Sequence, residues 1–334
     1  MTAELRALFF NLYSEQVDDL YPMAVHASKR SLYRLKNSQR SVIGVEYRNL
    51  PENRAFISFS KHFKRFGLPV PEIYAVAEDE FFYLHEDLGD QTLFDLVTEE
   101  RGKQGIFNEK LERLYAEAVQ HLSYFQIEAA QGLDYSLCYE GAVYDQKAMH
   151  YDCQRFVVEL VNRMAIPFDA TRLQHDFDVL VSFLSAEPPH YFMYRDFQAR
   201  NIMVKEGKTF FIDYQSGRKG ALQYDLASLL YQSQARIPDE VRDRIVSFYL
   251  DQIGLRVKLN RDQFLELFDG FVLIRLLQVL GAYGKLGLGE RKEYFLKGIP
   301  FAVATFLGVI GRHRISIKFP EITTLFSRLA LQLD

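Results

Sequence analysis

Tryptophan is absent from this 334-residue chain, cysteine occurs twice, and neither sign of charge dominates. Each lack excludes something. Cys138 and Cys153 are too few for a disulfide framework and lack the paired spacing of a thiolate metal site, so a reduced, cytoplasmic setting is expected. A net charge of −4 excludes a general basic field for nucleic acid, while leaving room for a local basic patch around phosphates. The opening Met1-Thr2-Ala3-Glu4-Leu5-Arg6 has no basic-then-apolar leader pattern, and the late apolar run from Ile299 to Ile310 is too short to span a bilayer. The expectation is a globular protein with neither nucleic acid nor membrane as a partner.

What is present is concentrated in one stretch. Tyr194-Arg195-Asp196-Phe197-Gln198-Ala199-Arg200-Asn201-Ile202-Met203-Val204 is followed by Phe211-Ile212-Asp213-Tyr214. The stretch sets an Asp, an Asn five positions on and a second Asp twelve beyond that, with β-forming residues around the last two. Phosphoryl transfer needs that order. One carboxylate orients and deprotonates an attacking hydroxyl, while an amide and a second carboxylate hold the Mg²⁺ ions that bridge the ATP phosphates. In this reading Asp196 is the catalytic base or orienting group, Arg195 braces the catalytic loop, and Asn201 and Asp213 are metal ligands. The pattern predicts a loop over 195–201, a strand over 202–204, a turn at Glu206-Gly207-Lys208 and a second strand over 209–212.

These residues resemble the catalytic loop of the aminoglycoside phosphotransferase and choline kinase superfamily, in which H-x-D-x-x-x-x-N precedes an Asp at an I-D-[FWY] strand end. The wider match is nearest to the branch containing bacterial N-acetylmuramate/N-acetylglucosamine anomeric kinases. It rests on Arg195 to Asn201, Ile212-Asp213-Tyr214-Gln215, Tyr224-Asp225-Leu226-Ala227-Ser228-Leu229-Leu230 and Leu280-Gly281-Ala282-Tyr283-Gly284. The resemblance implies a bilobal, protein-kinase-like α+β fold and an ATP- and Mg²⁺-dependent kinase acting on a hydroxyl of a sugar or amino sugar. Tyr194 stands where the superfamily usually has His, which implies altered packing rather than lost chemistry. Asp225 is expected to be structural, capping the N–H groups of a helix.

Along the chain, Leu5, Leu8, Phe9 and Leu12 predict an opening helix. A hairpin (31–35 and 41–45), a helix from Pro51 to Gly67 and a second strand pair (73–77 and 80–84) complete a small lobe over residues 1–86. Residues 87–334 read as a helical lobe, with helices near 111–125, 146–164, 171–185, 221–234, 238–252, 261–285 and 290–311. Gly102 to Gly105 is the expected flexible loop.

The nucleotide side departs from the kinase pattern. The segment Val25 to Leu32 has no glycine, so Ser28, Lys29 and Arg30 are the candidate phosphate contacts. Gly44 falls where a V-A-I-K strand would carry its lysine, and Glu52 is the candidate acid to pair with Lys29 or Arg30. Backbone groups of Glu86 and Leu88 are expected to read the adenine, and Gln198, Arg200 and Asp152 to meet the acceptor. Two alternatives stand beside the sugar kinase. One is a nucleotide-binding pseudokinase or regulator, suggested by the missing lysine; the other is a choline- or aminoglycoside-type phosphotransferase. A protein kinase is disfavoured, because no Ala-Pro-Glu platform follows Asp213.

Overall fold

The first hairpin closes because the Asn37 side chain accepts the N–H groups of Gln39 and Arg40, both at 3.0 Å. The computed structural model describes residues 2–23, 30–104, 107–312 and 314–333. Helix α1 (Thr2–Tyr13) leads into β1 (Asp19–Pro22), β2 (Ser31–Lys36), β3 (Ser41–Glu46), α2 (Leu50–Arg65), β4 (Ile73–Val76) and β5 (Phe82–Glu86). The five strands form one antiparallel sheet in the order β1-β2-β3-β5-β4.

Side-chain alternation along β3 gives the sheet two apolar faces. Val42 joins Leu5, Phe9, Leu35 and Leu84 under α1, while Ile43 and Val45 join Phe56, Phe59 and Tyr83 on the α2 side. A Cβ on Gly44 would come within 2.7 Å of a Leu35 methyl and 3.0 Å of Leu5, so glycine here lets α1 lie on the sheet. Gly44 therefore faces α1 and is no vacated lysine position on the α2 side. Helix α2 starts at Leu50 with Pro51 in its first turn, is capped by Asn49 and buries Phe56, Phe59 and Phe63.

The rest of the chain is mainly helical: α3 (Leu93–Gln104), α4 (Glu109–Gln126), α5 (Gln146–Phe156) and α6 (Ala170–Leu184). Four short strands follow, β6 (Tyr191–Met193), β7 (Ile202–Lys205), β8 (Lys208–Phe211) and β9 (Arg218–Gly220). Then come α7 (Leu222–Leu230), α8 (Asp239–Gly254), α9 (Arg261–Tyr283), α10 (Glu293–Leu296), α11 (Ile299–Gly311) and α12 (Pro320–Leu333). An antiparallel sheet first and a helical part after it is the expected α+β arrangement. Two local expectations fail. Of the loop expected over Gly102 to Gly105, Gly102 lies inside α3 while Gly105 lies outside the described residues, and the helix expected over 290–311 breaks at Lys297–Gly298. Residues Glu293–Gly311 are long and apolar enough to cross a bilayer by length and composition alone. The break leaves α11 with 13 residues, about 20 Å against a hydrocarbon core of about 30 Å, and Ala302, Val303, Phe306 and Val309 are buried in the protein core.

The glycines of Leu280-Gly281-Ala282-Tyr283-Gly284 bring α9 against α5. A Cβ on Gly281 would sit 3.1 Å from the Phe156 backbone N, and one on Gly284 would collide with the Glu159 carbonyl. This close approach sets the spacing between the two helices that flank the site.

Candidate active site

The β7–β8 hairpin pairs Ile202 with Phe211 and Lys205 with Lys208 around a two-residue turn, Glu206-Gly207, with both residues at positive φ. That register sets Asn201 beside Asp213. The Asn201 amide N–H₂ donates to Asp213 Oδ2 at 3.2 Å and to the Asp196 backbone carbonyl at 2.8 Å. Arg195 (φ 79°) and Asp213 (φ 69°) both occupy the left-handed region, a strain of order 1 kcal/mol each that the surrounding bonds must hold.

Those bonds are identifiable. Asp225, fully buried, accepts the backbone N–H groups of Tyr194 at 2.7 Å and Arg195 at 2.9 Å. It was expected to cap α7, but the cap position of α7 is Ala221, and Asp225 braces the catalytic loop instead. Burial pushes its carboxyl up to about 7, against the pull of the two N–H groups. Tyr194 donates its hydroxyl to the Ile212 carbonyl at 2.6 Å, tying the loop to the residue before Asp213. Arg195 reaches both oxygens of Asp152 at 3.2 Å, lies over the rings of Tyr144 and Tyr224, and shares Asp152 with the Tyr144 hydroxyl at 2.8 Å. Asp152 is therefore wholly buried with its oxygens occupied, and its carboxylate does not face an acceptor.

The Asp196 carboxylate is open to solvent on one side, with about a third of its side chain exposed (32%). Its Oδ1 accepts from Arg275 on α9 at 3.3 Å, and Ser216 approaches Oδ2 at 3.5 Å. Burial alone would raise this carboxyl, but Arg275, Arg195 and Arg200 outweigh it and hold the group below the usual carboxylate range. Arg200 is half-buried and acts electrostatically on Asp196, Tyr283 and Tyr294. Gln198 is 6% exposed, and its backbone carbonyl accepts the Asn201 N–H at 2.8 Å.

On the sheet side Arg30 donates to Glu52 at 2.8 Å and lies over the Phe56 and Tyr47 rings. Gln215 then bridges Glu52 (3.4 Å) to Asp213 Oδ1 (2.7 Å), so one chain of polar contacts runs from Arg30 to Asp213. Ser28 and Lys29 lie outside the described residues. The Glu86 N–H is taken by the Glu72 carbonyl at 2.9 Å, while Leu88 has no backbone hydrogen bond among the described residues. Between them Asp87 receives Ser41 (2.5 Å) and Arg34 (3.0 Å), which fixes the connection.

The donors fit Mg²⁺. The Asn201 bonds leave its carbonyl oxygen without a partner among the described residues, next to the Asp213 carboxylate. Two protein oxygens suit an ion that keeps waters and binds phosphate, and no cluster of three His, Cys, Asp or Glu ligands exists among the described residues.

A family model described as the phosphotransferase enzyme family matches residues 33–259. The chain belongs to that family. It is an enzyme, a phosphotransferase with a hydroxyl group as acceptor. The N-acetylmuramate/N-acetylglucosamine kinase of Neisseria meningitidis serogroup B is 26% identical over 327 residues, covering 95% of this chain and 92% of the relative. A choline kinase from Cryptosporidium parvum superposes with a TM-score of 0.64 at 12% identity, covering 100% of this chain and 99% of the other. A spectinomycin phosphotransferase in complex with ADP and spectinomycin gives 0.60 at 12% identity, covering 99% and 98%. These two likenesses are of fold.

Sequence reasoning missed two parts of the enzyme's cleft. Arg275 lies 79 positions from Asp196, and Gln215 lies 163 from Glu52, and no local pattern announces either contact. The signal for Arg275 in the sequence was a charge inside the apolar run from Phe271 to Leu277.

Proposed function

We propose that the enzyme transfers the γ-phosphate of Mg·ATP to a hydroxyl of a sugar, with an N-acetylated amino sugar as the favoured acceptor, in a reduced cytoplasmic setting. The observation that carries the reading is the Asn201 amide at the base of one hairpin, bonded to the Asp213 carboxylate and to the backbone carbonyl of Asp196. The kinase names of relatives at 26% identity support the acceptor class.

In this reading Oδ2 of Asp196, reached by Ser216 only at 3.5 Å, accepts a hydrogen bond from the acceptor hydroxyl and aims its oxygen in line with the phosphate. A carboxylate held at low basicity orients more than it deprotonates, which suits a loose transition state with little bond formation to the nucleophile. Asn201 Oδ1 and Asp213 would hold Mg²⁺, which would neutralise phosphate charge. Arg30, anchored by Glu52, supplies the cation that the β3 strand lacks and faces the nucleotide phosphates. Leu88, with no backbone hydrogen bond among the described residues, is the candidate to read the base, while the Glu86 N–H is committed to the Glu72 carbonyl. Gln198 and Arg200 line the acceptor side with Tyr283 and Tyr294.

The charges beside Asp196 bear on the choice among acceptors. Arg200 and Arg275 would repel a quaternary ammonium or a polyamine, so choline and aminoglycosides are the disfavoured acceptors. Incubation with Mg·ATP and a panel of N-acetylglucosamine, N-acetylmuramate, glucose, choline and kanamycin tests this. A sugar phosphate, with no choline or kanamycin product, is expected. Turnover of choline or kanamycin alone contradicts the acceptor class.

A further inference from the structure

Arg275 sits at mid-length of α9, 3% exposed, with Leu273, Ile274, Leu276 and Leu277 as buried sequence neighbours. A cation placed there costs several kcal/mol of desolvation unless its partners compensate. Its partners are few. Nη1 donates to Gln278 Oε1 at 2.7 Å and to the Tyr224 hydroxyl at 3.3 Å, Nη2 donates to Asp196 Oδ1 at 3.3 Å, and Nε is buried with no acceptor. A core built for stability alone would carry leucine or methionine at this position. Among the described residues the one carboxylate that Arg275 bonds is Asp196.

The neighbouring guanidinium is already committed. Arg195 spends both Nη groups on Asp152 and reaches the same Tyr224 hydroxyl at 3.2 Å, so it bonds no oxygen of Asp196. Ser216, at 3.5 Å, is at the limit of a hydrogen bond. Arg275 is thus the principal hold on the Asp196 side chain. It acts from a helix whose position against α5 is set by Gly281 and Gly284.

We propose that Arg275 is a positioning residue for phosphoryl transfer: through Nη2 it fixes one oxygen of Asp196 and leaves the other turned into the cleft for the acceptor hydroxyl. The proposal rests on the reading of Asp196 as the acceptor-orienting group. It also gives a reason for a buried arginine that packing alone does not explain.

Turnover of Mg·ATP with whichever panel acceptor the parent enzyme uses, N-acetylglucosamine first, tests it through Arg275→Met, Arg275→Lys, Asp196→Asn and the double variant Asp196→Asn/Arg275→Met. Methionine fills the volume without a charge, and the Asp196 carboxylate left behind is about a third exposed (32%), so Arg275→Met should lose less stability than the breaking of a fully buried pair. Its kcat should fall by roughly 10- to 100-fold, with acceptor KM moving less than about threefold. Arg275→Lys should recover part of kcat. In the Asp196→Asn background Arg275→Met should add less than about a threefold loss, because the residue acts through Asp196. An Arg275→Met enzyme within twofold of the parent overturns the proposal. So does an equal loss in both backgrounds, or a kcat loss that only tracks a lowered Tm. Asp196→Asn as active as the parent, or no turnover with any panel acceptor, removes the reading of Asp196 and the proposal with it.

Discussion

Asp225 accepts the backbone N–H of Arg195 at 2.9 Å, so a carboxylate on α7 fixes the strained residue immediately before the proposed base. Replacing it by alanine leaves two buried N–H groups without an acceptor, at a cost of about 1–3 kcal/mol each. Asp225→Ala should therefore unfold at lower denaturant and lose most of its kcat, which a urea melt and a turnover assay would show together. If stability and rate both stay near the parent's, the loop is held by something else.

The same residue predicts a pH dependence. Its carboxyl is raised to about 7 in the folded chain, above the usual carboxylate value, so between pH 4 and 7 the folded state binds more protons than the unfolded one. Its contribution is fully present below pH 4 and is lost as pH rises toward 7, at up to about 1.4 kcal/mol per unit. Urea melts at pH 4.5, 6 and 7.5, with Asp225→Asn as the reference, should show the parent losing stability relative to the variant. A flat difference would mean the carboxyl titrates normally.

Arg30→Gln should raise KM for ATP about 10- to 100-fold, the worth of a charge-assisted contact, with a much smaller change in acceptor KM. Glu52→Gln should move the same parameter less, since it removes the anchor and leaves the cation. An unchanged ATP KM in Arg30→Gln would return the phosphate grip to the segment before it.

Asp152→Asn leaves the buried Arg195 without its charged partner, a loss of about 3–5 kcal/mol. The expected signature is a lower melting temperature with reduced kcat. A selective rise in acceptor KM at unchanged stability would instead mark Asp152 as a direct acceptor contact.

The hairpin over 202–211 and the helix from Pro51 were legible in the sequence because both are set locally, by alternation around Glu206-Gly207 and by phenylalanines at helical spacing capped by Asn49. Strands β6 and β9 were not, since three residues are too few for a period to register. Asp196, Asn201 and Asp213 could be picked out because their spacing within one hairpin sets their geometry. The pairing of Asp152 was not legible, because nothing local reveals that Arg195, 43 positions away, bonds it. The Arg30–Glu52 pair was legible as a possibility; Gln215 and Arg275 required the folded chain.

The central claim is that Asp196 and Asp213 carry phosphoryl transfer to a sugar hydroxyl. The direct measurement is phosphate transfer from Mg·ATP to N-acetylglucosamine by the parent, Asp196→Asn and Asp213→Asn, each checked for intact folding by its melting curve. The account predicts a sugar phosphate from the parent and a loss of at least about 100-fold in both variants. Parent-like turnover in either folded variant would contradict it.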